Sequence, residues 1–273
     1  MGPLFNRKKM KRITPLLLTI LLITSAPSIL ASNFPLSILD DVQTTSDPQS
    51  SNSLGLGFAY GQNIYTGVDN IIQPFPLFNL SMHNFFLKGD ELGYYTYKDP
   101  GVSVAVILKP TFAGYSASDS DALDGMSDTS YLLNTGLQMQ YRLMPLSFTV
   151  EALHDVTGRS TGNTLSGELA TIFPIDDQRF TVIPSVTAVW QSSDITNYYY
   201  GVSGSEVTAS RPEYSPAGAT TIHYGLTLKY RVSDHLGTTF GYTLTQLPRA
   251  ISDSPIVSRS TSSSLLAGAS YIF

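Results

Sequence analysis

Ser264-Leu265-Leu266-Ala267-Gly268-Ala269-Ser270-Tyr271-Ile272-Phe273 is the stretch on which the fold turns. Side chains of a strand point alternately to opposite faces. Leu265, Ala267, Ala269, Tyr271 and Phe273 therefore share one face, and Ser264, Leu266, Gly268, Ser270 and Ile272 share the other. The last residues of a soluble domain are commonly polar and loose. A strand running flush to an aromatic is expected where the final strand of a membrane barrel closes on the first, leaving no open edge in lipid.

The opposite end of the chain points to the same compartment. Arg7, Lys8, Lys9, Lys11 and Arg12 precede an apolar run from Ile13 to Ile23, and small residues follow between Ala26 and Ala31. A membrane-spanning helix needs about 20 apolar residues, so this shorter run reads as a secretory signal peptide. Cleavage is expected between Ala31 and Ser32, because cutting after Ala26 leaves Pro27 just past the scissile bond. The expected organisation is a signal peptide over 1–31, a polar flexible periplasmic segment over 32–52, and a barrel over 53–273.

All five basic residues of 1–31 leave with the signal, and that segment holds no acid. The remainder carries 11 Lys+Arg against 21 Asp+Glu, a net charge of −10. A chain this acidic offers nothing to nucleic acid. With no cysteine it has neither a disulfide framework nor a lipidated-Cys anchor. No later apolar run reaches membrane-helix length, and a membrane protein without spanning helices has to be a closed barrel.

Strand-like segments follow at 53–62, 71–81, 83–88, 91–98, 102–114, 131–142, 146–156, 163–173, 179–190, 221–232, 236–246 and 263–273. Twelve is an even count, as a single-chain antiparallel barrel with both termini in the periplasm requires. Alternation puts Ile222, Tyr224, Leu226, Leu228, Tyr230 and Val232 on one face and His223, Gly225, Thr227, Lys229 and Arg231 on the other. Leu137, Met139, Tyr141 and Leu143 oppose Gln138, Gln140 and Arg142; Leu146, Phe148, Val150 and Ala152 oppose Ser147, Thr149 and Glu151. Apolar-out and polar-in is the membrane-barrel pattern, and it makes Arg142, Glu151, His223, Lys229 and Arg231 lumen-facing. Charges in a narrow lumen must be paired or hydrated. Two readings stay open, a plugging network or a selective water-filled path, with the plug favoured.

The connections alternate in length. Those at 63–70, 89–90, 115–130, 157–162, 191–220 and 247–262 are expected outside the cell, and all but 89–90 are long. Those at Asn79–Asn84, Asp99–Gly101, Arg142–Pro145, Ile175–Gln178 and Ser233–Asp234 are short and carry turn chemistry. Pro74 and Pro76 interrupt the second strand, and such residues belong at a bulge or rim.

Several segments in order carry a resemblance. They are Gly55-Leu56-Gly57, Pro74-Phe75-Pro76-Leu77, Phe85-Phe86-Leu87-Lys88-Gly89, Leu92-Gly93-Tyr94 and Asp121-Ala122-Leu123-Asp124-Gly125-Met126. Asp155-Val156-Thr157-Gly158, Tyr200-Gly201-Val202, Tyr230-Arg231-Val232-Ser233-Asp234-His235 and Asp253-Ser254-Pro255-Ile256-Val257 complete them. Over 53–273 the chain resembles the MipA/OmpV family of outer-membrane proteins, the MltA-interacting proteins. The resemblance implies an all-β transmembrane up-and-down barrel in the outer membrane of a Gram-negative bacterium. It implies a scaffold role in peptidoglycan maintenance, with a lytic transglycosylase and a peptidoglycan synthase as partners, or else a porin-like or adhesive protein. Outer-membrane lipid, lipopolysaccharide and the barrel assembly machinery are the surroundings it implies. Phe273 and Tyr271 would then be the closure and assembly signal.

Catalysis, cofactor binding and metal binding are each weighed and not expected. The four histidines, His83, His154, His223 and His235, bring no nucleophile and acid with them in any local motif. The acidic run Asp119-Ser120-Asp121-Ala122-Leu123-Asp124-Gly125-Met126-Ser127-Asp128 misses the EF-hand spacing by one residue and has no closing Glu, so a solvated loop is expected. Gly55-Leu56-Gly57-Phe58-Ala59-Tyr60-Gly61 has no following helix and reads as strand glycine rather than a nucleotide loop. Tyr198, Tyr199, Tyr200 and Tyr214 are expected either as adhesive contacts or in the outer aromatic girdle.

Overall fold

The computed structural model describes residues 52–176 and 179–273. The expected signal peptide, its Ala31/Ser32 junction and nearly all of the 32–52 segment lie outside the described residues, as do positions 177–178 in a short turn.

The strands are β1 (Ser53–Gly61), β2 (Ile71–Pro76), β3 (Asn79–Met82), β4 (Phe85–Lys88), β5 (Glu91–Lys98), β6 (Val102–Thr111) and β7 (Leu132–Leu143). They continue with β8 (Leu146–Asp155), β9 (Asn163–Thr171), β10 (Phe173–Ile175), β11 (Phe180–Gln191), β12 (Ala219–Ser233), β13 (Leu236–Gln246) and β14 (Thr261–Ile272). β2 and β3 are two pieces of one wall position, and so are β9 and β10, which leaves twelve positions. Every pairing is antiparallel between chain neighbours, and β14 returns to β1 in a ladder from Ser53↔Ile272 to Gly61↔Ser264. The sheet therefore closes on itself, and the expected twelve-position up-and-down barrel is the observed architecture.

The two faces separate as the alternation requires. Leu56, Phe58, Leu137, Met139, Leu169 and Leu265 are exposed on the outer face, whereas Leu266, Ser264, Thr243, Thr227 and Glu151 are buried inside. A belt of large apolar side chains around the whole wall has no place in water and matches a bilayer. Aromatic residues rim it: Tyr141, Phe148, Phe173, Tyr230, Tyr271 and Phe273 toward the short turns, Tyr131 and Trp190 toward the long loops. No helix among the described residues is long and apolar enough to cross a membrane.

The long connections contain two short helices, α1 (Ser193–Tyr200) and α2 (Arg249–Ser252), with further 3-10 turns. One expectation needs correction. The 89–90 connection was expected at the outer rim. The register instead sets Leu92 opposite Leu108, three residues short of the end of β6, so the β4–β5 hairpin turns back partway up the wall. Four-residue strands are too short to cross. Phe86 explains where the hairpin sits. Its ring lies over Gly93, where any Cβ would collide with it, and 4.5 Å from the Tyr95 ring.

Candidate functional site in the barrel interior

A charge network occupies the middle of the lumen. Lys109 on β6 places Nζ 3.5 Å from Glu91 Oε2 and 3.5 Å from Glu151 Oε2. Gln138 on β7 bridges the same carboxylates from the other side: its Nε2 donates to Glu91 Oε1 at 3.0 Å and to Glu151 Oε1 at 2.8 Å. Ser166 Oγ adds a bond to Glu151 Oε2 at 3.3 Å. Glu91 and Glu151 are buried, so water solvates neither carboxylate. Removing an ion from water costs several kcal/mol, and only close partners with filled lone pairs offset it. A lysine and an amide shared between two carboxylates meet that demand. Farther round the wall Glu168 is buried and accepts from Thr187 Oγ1 at 3.1 Å.

The opposite wall carries hydroxyls. Ser185, Thr227, Thr243 and Ser264 stand on four consecutive strands, β11 to β14, each with a buried oxygen that meets no partner among the described residues. His223 nearby is buried with Nδ1 3.0 Å from Thr245 Oγ1. Toward the short turns the inward positions turn basic. Lys98 lies over the Tyr95 ring at 4.9 Å and Lys88 over the Phe86 ring at 5.4 Å. Arg142, Lys229 and Arg231 occupy inward positions of the same end.

The long connections fold over the other end into a cap with its own apolar core. Ile64, Tyr65, Tyr115, Leu123, Met126, Leu132, Ile195, Tyr199, Tyr200, Ile251 and Ile256 pack together there. Tyr65 anchors it: its hydroxyl donates to the Tyr199 carbonyl at 3.1 Å, and its ring meets Tyr115 at 4.7 Å and Tyr200 at 6.1 Å. Burial first, and the neighbouring tyrosines second, hold the Tyr65 hydroxyl well above its usual range; burial alone pushes Tyr200 up to about 12. Both therefore stay neutral hydrogen-bond donors. Arg211, buried at 5% exposure, ties two long loops together by donating to the carbonyls of Ala122 and Asp124 in one and Glu206 in its own. Ser203 donates from its N–H and hydroxyl to Glu206 Oε2, and Ser127 N–H donates to Oε1. Partial burial raises the Glu206 carboxyl, but these bonds outweigh it and bring it down to about 2.

The sequence-derived candidates fall as follows. Glu151 is a member of the central network; Arg142, Lys229 and Arg231 stand at the short-turn end, apart from it. His223 joins none of them. Sequence reading missed Glu91, Lys109 and Glu168, because β5, β6 and β9 were outlined without assigning their faces. Alternation on β6, where Ala105 and Ile107 are buried, would have found Lys109. His154 and Asp155 are adjacent residues on opposite faces, so they form no catalytic pair. His154 Nδ1 lies 3.0 Å from Asn163 Oδ1, and Asp155 accepts from Thr157, Ser160 and Thr161. The acidic run is folded rather than solvated throughout. Asp119 and Asp128 accept from Ser116 and Ala117 N–H, and Leu123 and Met126 enter the cap core. Among the described residues no three His, Asp or Glu converge as metal ligands. Tyr199 and Tyr200 are buried in the cap, and Tyr198 packs against it, bonding Ser130; none of the three is in the girdle.

A closed antiparallel barrel with a lipid-facing belt, aromatic rims and long loops at one end defines an outer-membrane β-barrel of a Gram-negative bacterium. The family described as "MltA-interacting protein MipA" matches residues 54–273, and the chain belongs to it. The 24 kDa outer membrane protein of Pasteurella multocida is 30% identical over 77% of this chain and 86% of its own length. The MltA-interacting protein of Escherichia coli K12 is 24% identical over 81% and 90%. OmpV of Vibrio cholerae is 26% identical over 66% and 71%. Among solved structures the NanC porin aligns with TM-score 0.47 at 12% identity, over 80% of this chain and 98% of that one.

Proposed function

We propose that this barrel is a structural scaffold of the outer membrane that carries no general pore. It offers its periplasmic turns, and the 32–52 segment that follows a signal peptide cleaved after Ala31, to enzymes of the cell wall. The filled interior carries this reading. Several inward side chains around the wall, Ala59, Ile107, Glu151, Glu168, Thr227, Thr243 and Ser264, are 3% exposed or less. Lining residues of a water-filled pore would be wet. A relative named MltA-interacting protein suggests a lytic transglycosylase as the partner, and we propose a peptidoglycan synthase as a second one. Terminal Phe273 with Tyr271 serves the assembly machinery.

The test is capture of a lytic transglycosylase by the tagged full-length protein from detergent extract of the native membrane. Reproducible enrichment supports the scaffold, and repeated absence counts against it. The hydroxyls of Ser185, Thr227, Thr243 and Ser264, unmet by any partner among the described residues, favour a second reading, a narrow polar lane of porin-like kind. Planar-bilayer recording separates the two: steady, reproducible openings would sink the purely structural role.

A further inference from the structure

The short-turn end of the lumen and the stretch of chain leading into β1 carry opposite charge. Alternation, with the faces fixed by burial, puts Lys98, Arg142, Lys229 and Arg231 at inward positions close to the short turns. Their ladder partners Ser103, Ser147, Thr181 and Gly237 are uncharged. The described acids of this end, Asp99, Asp176 and Asp234, lie in the turns themselves. Lys98 and Arg231 are exposed, so the charge extends to the mouth. A low-dielectric wall focuses the field of such a ring on its opening, and an acidic occupant relieves the mutual repulsion of the cations.

The chain enters the wall at the same rim. Asn52 is held there from two sides: its carbonyl accepts from Phe273 N–H at 2.9 Å, and its Oδ1 accepts from Ser81 N–H at 2.7 Å. Immediately before it, residues 32–51 contain Asp40, Asp41 and Asp47 and neither Lys nor Arg. Extended chain covers about 3.3–3.6 Å per residue, so Asp47 has a reach of about 17 Å from Asn52 and Asp40 one of about 40 Å. Twelve strands about 4.8 Å apart and tilted by about 40° enclose a wall about 24 Å across. Asp40 and Asp41 therefore reach any side of the mouth, and Asp47 reaches past its middle. Attachment in one chain holds these acids at an effective concentration of about millimolar, an advantage that a partner in trans lacks.

We propose that the acidic 32–51 segment docks across the basic mouth and shields the lumen from the periplasmic side. The scaffold reading offers the same segment to enzymes of the cell wall. The mouth is then its resting place between engagements, and a partner has to displace it from Lys98, Arg142, Lys229 and Arg231. The docking itself needs no partner and stands apart from the scaffold reading.

Paired spin labels test this in the protein purified from the outer membrane and held in lipid vesicles. The chain has no cysteine, so labels attach only where one is introduced. Ser37→Cys with Thr239→Cys sets one label in the segment and one at the mouth without altering a charge, Thr239 being the ladder partner of Lys229. Docking predicts a narrow distribution of distances at low salt. Changing Asp40, Asp41 and Asp47 all to Lys is expected to broaden it about twofold, toward the spread of a free chain. Adding Lys229→Glu and Arg231→Glu to that variant is expected to narrow it again, because the charges are once more complementary. A distribution as broad in the native sequence as in the reversed one would overturn the docking. So would one that stays narrow after reversal, since charge would not then be what holds the segment. Heat-modifiable migration certifies each barrel, and Lys98→Glu with Arg142→Glu serves as the rescuing pair where the first does not fold. No enzyme enters the assay, so failure to capture a transglycosylase leaves its outcome untouched.

Discussion

Lys109 is the residue on which the interior balance rests. Its ammonium is the charge shared by Glu91 and Glu151, two buried carboxylates. Taking one partner out of a buried ionic group costs about 3–5 kcal/mol, because the remaining charge is stranded away from water. Lys109→Met is therefore expected to destabilise the barrel by about that amount in urea unfolding from lipid vesicles. The triple change Lys109→Met, Glu91→Gln, Glu151→Gln is expected to recover most of the loss, since it strands no charge. Glu206 supplies a pH-dependent prediction. Its folded pKa of about 2 lies below the ordinary 4.5, so its contribution is full above 4.5 and fades as pH falls toward 2. Amide exchange at Ser127 and Ser203 is expected to lose protection across that window, while the Thr66 amide, held by the Ile256 carbonyl in the same cap, serves as the local comparison. Glu206→Gln should lose the same protection already at pH 7.

Among the elements, the hairpin of β4 and β5 depends on one ring. Phe86 fills the space over Gly93, which no larger residue can share. Gly93→Val is expected to eject the ring and dislodge the hairpin, seen as loss of heat-modifiable migration. Ala at Gly167, where a Cβ meets nothing within 4 Å, should be tolerated. The β1–β14 seam is the other sensitive element. Phe273 N–H bonds the Asn52 carbonyl at 2.9 Å, and its ring meets Tyr271 at 5.4 Å in the aromatic rim. Phe273→Ala is expected to lower the amount of assembled barrel in the outer membrane more than Lys229→Ala does. Normal levels of the Phe273 variant would refute this. Strand faces were readable from period-2 alternation because that pattern is local. The hairpin's arrest partway up the wall was not, because it follows from a pairing, Leu92 with Leu108, that spans the β5–β6 turn.

For the whole molecule, the twelve wall positions, the short-turn and long-loop ends and the lumen position of Glu151 were all legible in the sequence. Each rests on alternation, turn residues or apolar length, and these act over a few neighbouring residues. The state of the lumen was not legible. Glu91, Lys109, Gln138 and Glu151 come from four strands, and the Lys109–Glu151 contact joins residues 42 apart in the chain. The cap likewise draws Tyr65, Tyr115, Tyr199 and Ile256 from separate loops that look merely long and polar in sequence. What the sequence by itself determined is a closed, lipid-facing barrel, because side-chain period and chain polarity dictate which face meets lipid. Only the tertiary structure decided that Glu91, Lys109, Gln138 and Glu151 meet in one network and that the long loops pack into one core. Those depend on which distant residues the closing register brings together.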